Sequence, residues 1–160
     1  MSESLKIKPI IEKYLTGKII DIGCGDQKIC DTAIGVDSRN TDAVDYVMER
    51  SYEIYLMEQI SMLKDADVIF ASHVLEHLIS PDEFLGSAYR TLKHNGTLIL
   101  YLPDAKYYDN RSNLEHFQSY EHEVFVRWFK EKYKIKFDII DHGPHVGENL
   151  YSFYMVARKK

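Results

Sequence analysis

Two cysteines, Cys24 and Cys30, are all that the chain contains. They are too few for a disulfide framework or a cysteine-rich zinc site, and their presence as free thiols suits reducing cytoplasm. No apolar run approaches the roughly 20 residues that cross a bilayer, so no membrane span is expected. The segment Met1–Pro9 lacks the apolar core of a secretion signal. Positive charge is also in short supply. Lys and Arg number 20 against 25 Asp and Glu, for a net charge of −5. A broad basic surface for a phosphate backbone is therefore excluded, and nucleic acid is not an expected partner. Repeats, low-complexity tracts and long linkers are missing too. The 160 residues should form a single domain over 1–160, and a homodimer stays open.

What is present is an ordinary globular composition, 45% hydrophobic and 28% charged, too apolar for disorder. A first helix is expected over Pro9–Leu15, with Pro9 in its first turn and Gly17 past its end. Lys18–Ile22 reads as a buried strand entering a tight turn at Gly23-Cys24-Gly25. Ala33–Asp37 reads as a second strand with an acidic tip, Asp45–Met48 as a weaker third and Asp67–Ala71 as a fourth. Ile54, Met57, Ile60 and Leu63 give Tyr52–Leu63 a helical spacing. Pro81–Leu92 is a predicted helix with Ser80 at its N-cap. Asn95-Gly96 then turns the chain into a fifth strand, Thr97–Leu102, closed by Pro103. Val124–Phe129 reads as a helix buried on the sheet, with Trp128 as packing. This alternation predicts an α/β fold, a mostly parallel sheet with helices on both faces.

The end of the chain breaks the alternation. Lys134–Asp141 and Leu150–Ala157 both read as strands, separated only by His142–Asn149. A parallel crossover needs about a dozen residues or more, whereas Gly143, Pro144 and Gly147 suit a turn. The last strand should therefore run antiparallel to its predecessor and insert beside the fifth strand. Its two sides are both largely apolar, as in a strand covered on both faces.

In open parallel sheets, ligands bind beyond the C-terminal strand ends. Gly23 and Gly25 follow the first strand at that place, and Asp37 ends the next. A Gly-x-Gly alone is equally well explained as a tight turn. A carboxylate at the neighbouring tip can accept from both hydroxyls of a ribose, and the pair points to a nucleoside. A dinucleotide fits poorly, because the third glycine of its fingerprint falls at Lys28 and Asp26 stands where a pyrophosphate would lie.

Five segments carry a family resemblance. Asp21-Ile-Gly-Cys-Gly-Asp26 resembles the first motif of class I S-adenosyl-L-methionine-dependent methyltransferases, and Ile34-Gly-Val-Asp37 the second. Asp67 to Leu78 is similar to their fourth-strand motif, and Leu92 to Leu100 to the segment entering their fifth strand. Leu114 to Tyr120 resembles a stretch that precedes their last helix. The resemblance runs in order from Lys18 to Arg158. It implies a Rossmann-like fold and S-adenosyl-L-methionine as cofactor. It also implies roles by position. Gly23, Cys24 and Gly25 would pass the methionine end through backbone contacts, and Asp21 would position that loop and the amino group. Asp37 would hold the ribose with Ser38 beside it. Glu49, or backbone near Met48, would lie by the adenine, and Ser72 and His73 would floor the pocket near the methyl. The chain departs from the family in its short Gly25–Ala33 crossover, which matches a subgroup with a shortened first helix, and in Gln27 at the usual third glycine.

Methyl transfer from a sulfonium needs in-line placement at about 3 to 3.5 Å and exclusion of water. A base helps only where the acceptor arrives protonated, and His73 or His116 would supply it as catalytic residue. The expected acceptor is a small molecule. His73-Val-Leu-Glu-His77 also spells an inverted zinc-peptidase motif, but its strand-tip setting lacks the helix that would put both histidines on one face, so no metal is expected. A zinc hydrolase through His73, Glu76 and His77 and a cofactor-binding protein without catalysis are the alternative readings. His142 and His145 read as surface or packing groups, His94 and His122 as solvent-facing, and His77 as packing a short turn. Tyr101, Tyr107 and Tyr108 read as core or lid packing where an acceptor could also rest, and Arg158-Lys159-Lys160 as a solvated end.

Overall fold

A computed structural model describes residues 3–48, 51–109, 113–148 and 150–160. Seven strands form its one sheet: β1 (Ile19–Ile22), β2 (Ile34–Asp37), β3 (Tyr46–Val47), β4 (Ala66–Ser72), β5 (Leu92–Pro103), β6 (Phe137–Gly147) and β7 (Leu150–Lys159). Their order is β3-β2-β1-β4-β5-β7-β6. β1 to β5 are mutually parallel, and β7 runs antiparallel to both β5 and β6. The last strand is thus inserted beside β5, as its short connection and two apolar sides required. The turn itself is shorter than the sequence suggested. β6 stays paired through Gly147 opposite Leu150, so His142–Gly147 is strand and not loop. Gly143 and Pro144 are tolerated because β6 is the sheet edge, where alternate N–H groups lie outside the ladder. The register also shifts between Ile139 and Asp141.

Alternation along β5 divides the core. Leu98, Leu100 and Leu102 face one cluster, together with Phe84, Leu85 and Ala88 of α2 (Pro81–Thr91) and Phe125, Phe129 and Tyr133 of α3 (His122–Tyr133). Ile99 and Tyr101 face the other, with Ile7 and Ile11 of α1 (Glu3–Ile11) and with Ile29 and Ala33 of the β1–β2 crossover. That crossover contains no helix; α1 and Ile29 cover the face instead.

Several local expectations fail for tertiary reasons. α1 starts at Glu3 and holds Pro9 in its last turn. Ile7 and Ile11, one helical turn apart and fully buried, set its register. Burying two isoleucines stabilises by about 1.5–3 kcal/mol each, which offsets the bond that Pro9 removes. The predicted helix over Tyr52–Leu63 is a 3-10 segment, Ser51–Gln59, broken at Leu56 (φ −121°, ψ 24°). Past the break, the Met57 N–H donates to Ser87 Oγ of α2 (3.1 Å), so a tertiary bond replaces a helical one. Ser80 occupies the N-cap position of α2, but its side chain makes no capping bond. The basic end is not a free solvated tail, since Lys159 Nζ donates to the carbonyls of Tyr89 and Leu92 (2.6 Å each), capping α2. Among the described residues, no helix is long and apolar enough to cross a membrane.

Candidate functional site

Strand order reverses between β1 and β4, and ligands of open parallel sheets sit at such a reversal. A cleft of about 690 Å³ opens there, lined by Gly23, Asp37, Ser38, His73 and His77 among others. Its first wall is the β1 turn. Gly23 has φ +74°, and a Cβ on it would lie 2.6 Å from Val74 Cγ2. Gly25 has φ +62°, and a Cβ there would lie 2.6 Å from Arg39 Nη2. Glycine alone meets both demands cheaply. The Gly25 N–H donates to Asp37 Oδ2 (2.8 Å), while Oδ1 accepts from the Arg39 N–H (2.9 Å). A carboxylate offers about four acceptor positions, so Asp37 is pinned by backbone and can still accept from a ligand's hydroxyls.

Behind this wall, Asp21 is almost wholly buried and accepts the Ile29 N–H (2.6 Å). Burial pushes its carboxyl up to about 7 against that hydrogen bond, with nearby Asp37 adding to the rise. Burial, then the charges of Asp21 and Asp37, push the Cys24 thiol up to about 12. Cys24 is therefore no thiolate at neutral pH. On β2, the Gly35 N–H donates to Asp45 Oδ2 (2.8 Å), and this bond and Lys28 hold the Asp45 carboxyl below its usual range.

The second wall follows β4. His73 has φ +53°, an uncommon conformation for a residue other than glycine and one that clusters at functional sites. Its N–H donates to the Tyr101 carbonyl (2.8 Å). Its ring lies edge-on to Tyr101, with Nε2 at 3.2 Å from Ser152 Oγ and Nδ1 at 3.3 Å from Glu76 Oε1. Leu75–His77 is a single 3-10 turn. The segment from Asn113 docks on it: the Phe117 and Gln118 N–H groups donate to the Glu76 carbonyl (2.8 and 3.1 Å). His77 Nδ1 lies 3.1 Å from the Glu115 carbonyl, and the His77 and His116 ring centroids are 4.6 Å apart. Burial, above the influence of neighbouring charges, lowers the His116 pKa.

Of the residues expected at the cofactor site, Gly23, Asp37, Ser38 and His73 line the cleft. Asp21, Cys24, Gly25 and Ser72 stand behind its surface, with the Asp21, Cys24 and Ser72 side chains buried. Glu49 lies outside the described residues. His116 adjoins the cleft through His77, Glu115 and Phe117. The sequence did not reveal Ile54, Arg39 or Phe117 as lining residues; Ile54 was visible only as one apolar position of a supposed helix. His73 and His77 do not pair as a zinc-peptidase motif requires, because a 3-10 turn and a left-handed residue replace the helix. His122 is buried rather than solvent-facing, against Phe153 and 3.0 Å from His142 Nδ1. Tyr101 is core, Tyr107 is exposed, and Tyr108 stacks on Tyr151 at 4.7 Å.

The sequence profile of the methyltransferase domain family matches residues 5–133. Among curated proteins, none matches by sequence. Solved structures share the fold. A SAM-dependent methyltransferase from Archaeoglobus fulgidus superposes with a TM-score of 0.69 at 14% identity, over 98% of this chain and 92% of its own. The 1,6-didemethyltoxoflavin-N1-methyltransferase of Burkholderia thailandensis, solved with 1,6-didemethyltoxoflavin and S-adenosylhomocysteine, gives 0.71 at 13% identity over 98% and 77%. The N-methyltransferase NodS of Bradyrhizobium japonicum, solved with S-adenosylhomocysteine, gives 0.63 at 14% identity over 96% and 83%.

Proposed function

The chain belongs to the methyltransferase domain family, and we propose that it transfers a methyl group from S-adenosyl-L-methionine to a small-molecule acceptor in the cytoplasm. The observation that carries this reading is Asp37, held by backbone N–H groups at the mouth of the cleft, facing the glycine turn at the strand reversal. Such a carboxylate suits a ribose. The turn offers backbone, and no phosphate cradle competes. Two neighbours with this fold were solved with S-adenosylhomocysteine, which supports the cofactor. One of them also holds a small heterocycle, which, with the net charge of −5, supports a small acceptor over nucleic acid.

The cofactor's ribose would lie on Asp37 and Ser38, its adenine toward Met48 and Ile54, and its methionine end along Gly23. Glu49 would serve the adenine side as well. Asp21 and Cys24 would act from behind, shaping the turn, and Ser72 would set the position of His73. The sulfonium carries its own leaving group, so the protein's work is placement and dryness. His73 lines the cleft and would take a proton from an acceptor that arrives protonated. Calorimetry with S-adenosylmethionine and S-adenosylhomocysteine tests the reading. Binding of both, followed by methylation of a compound in an acceptor screen, is the expected result. No heat and no thermal shift at millimolar ligand would overturn it.

A further inference from the structure

We propose that Glu76, His77 and His116 form a binding site for a divalent transition-metal ion in the wall of the cleft. The ligand atoms of these three side chains lie within 4.8 Å of one another. The second observation is the state of Glu76. Its side chain is fully buried, and neither carboxylate oxygen accepts a hydrogen bond from the described residues. His73 Nδ1 is 3.3 Å from Oε1 but lacks hydrogen-bond alignment. Buried carboxylates are paired, hydrogen-bonded or bound to metal. Glu76 stands beside two imidazoles with its oxygens unsatisfied, and a cation between them supplies the missing partner.

The histidines are oriented for this task. A carbonyl oxygen only accepts, so the 3.1 Å contact between His77 Nδ1 and the Glu115 carbonyl places the proton on Nδ1. Nε2 then carries the lone pair. A backbone carbonyl that accepts the other ring N–H in this way is a usual outer partner of a metal-bound histidine. His116 is brought to the same place by the two bonds from Phe117 and Gln118 to the Glu76 carbonyl. Two imidazoles and one carboxylate suit Zn²⁺, Fe²⁺ or Co²⁺ better than Mg²⁺, and leave coordination positions open. His77 lines the cleft, so a molecule there can reach the ion. The second histidine cluster, His122, Glu123 and His142, has no such signal, since its carboxylate is 75% exposed.

This site was not legible as the inverted zinc motif, which pairs His73 with His77. Here His73 turns to Ser152, and His116 arrives from a distant segment. Resting on the methyl-transfer reading, the site also names an acceptor class. An acceptor hydroxyl bound to the ion would give up its proton to His73 more readily; its oxygen would then form the bond to the methyl carbon as the carbon–sulfur bond breaks and S-adenosylhomocysteine leaves, so the acceptor carries a hydroxyl.

The full chain, stripped with chelator, is titrated with Co²⁺ and with Zn²⁺ alone, followed by Co²⁺ visible absorption and by calorimetry. Saturable binding is expected. His116→Ala and Glu76→Gln should each weaken it by more than the roughly 10- to 100-fold that loss of an outer partner costs. His142→Ala should leave it unchanged. A folded parent that binds neither ion, or equal affinity in His116→Ala, overturns the proposal, as does loss of binding in His142→Ala. His116 sits in a half-exposed segment, so its variant decides the matter even if Glu76→Gln fails to fold. S-adenosylhomocysteine calorimetry on the same samples separates the two readings. Cofactor binding without metal binding overturns this proposal alone, and metal binding without cofactor binding overturns only the cofactor.

Discussion

The two walls of the cleft treat their carboxylates in opposite ways. On the β1–β2 side, Asp21, Asp37 and Asp45 each accept a backbone N–H, from Ile29, Gly25 and Gly35 respectively. On the β4 side, Glu76 is fully buried and accepts none from the described residues. An ionised carboxylate buried without donors is costly, whereas one held by amides is pre-organised. The first wall is therefore complete before any ligand arrives. The second is complete only with a partner for Glu76.

The largest expected effect concerns Asp21, the most buried carboxylate of the finished wall. Its carboxyl is pushed up to about 7 in the fold, chiefly by burial, against about 3.9 in an unfolded chain. The unfolded state thus loses its proton first as pH rises. Between about pH 4 and 7 the fold binds more protons, so this group's contribution falls as pH climbs and is fully unfavourable above 7. In Asp21→Asn the amide oxygen can still accept the Ile29 N–H. The variant should match the parent near pH 4 and gain stability over it up to about pH 7, by up to about 4 kcal/mol. Urea unfolding of both proteins at several pH values checks this. A difference that stays flat with pH would show that Asp21 is ionised throughout.

Next in size is Asp37→Ala. Losing a charge-assisted pair of hydrogen bonds should cost roughly 1.5–3 kcal/mol of cofactor affinity, or about one to two orders of magnitude in Kd. Calorimetry with S-adenosylhomocysteine reads it. Equal affinities would mean that the ribose is held elsewhere and that the first wall is only structural.

Glu76→Met inverts the sign. Replacing a buried carboxyl that has no hydrogen-bond partner by an apolar side chain of similar volume removes a desolvation cost of about 1–3 kcal/mol. In metal-free protein this variant should melt above the parent. At saturating Zn²⁺ the order should narrow or reverse, because only the parent gains from the ion. A variant less stable than the metal-free parent would show that Glu76 has donors in solution and would erase the contrast between the walls.

How much of this was legible in sequence follows the same division. The first wall is local. Gly23, Gly25 and Asp37 lie within one strand–turn–strand unit, and short apolar runs locate its strands. The place of β7 was also legible, because chain length alone forbade a parallel return. The second wall depends on a long-range docking. His116 reaches His77 only because the segment 113–118 folds onto the Glu76 carbonyl, and that segment has no periodicity to read. The same holds for Lys159 on α2 and for His122 under β7. In each case a polar residue was read by its type, and its true surroundings come from residues far away in sequence.

The smallest expected effect tests what holds Asp37 in place. Arg39 Nε lies 3.4 Å from Asp37 Oδ1, and the arginine side chain is 60% exposed. An ion pair so open to solvent is worth about 0–1 kcal/mol and weakens with salt. The two backbone bonds from Gly25 and Arg39 are shorter and survive any change of the Arg39 side chain. Arg39→Ala should therefore shift the melting temperature by no more than about 2–4 °C. It should leave S-adenosylhomocysteine affinity within a few-fold of the parent. If instead it weakens binding as far as Asp37→Ala does, the guanidinium orients the carboxylate. The first wall would then depend on an exposed side chain, as the second depends on its missing partner.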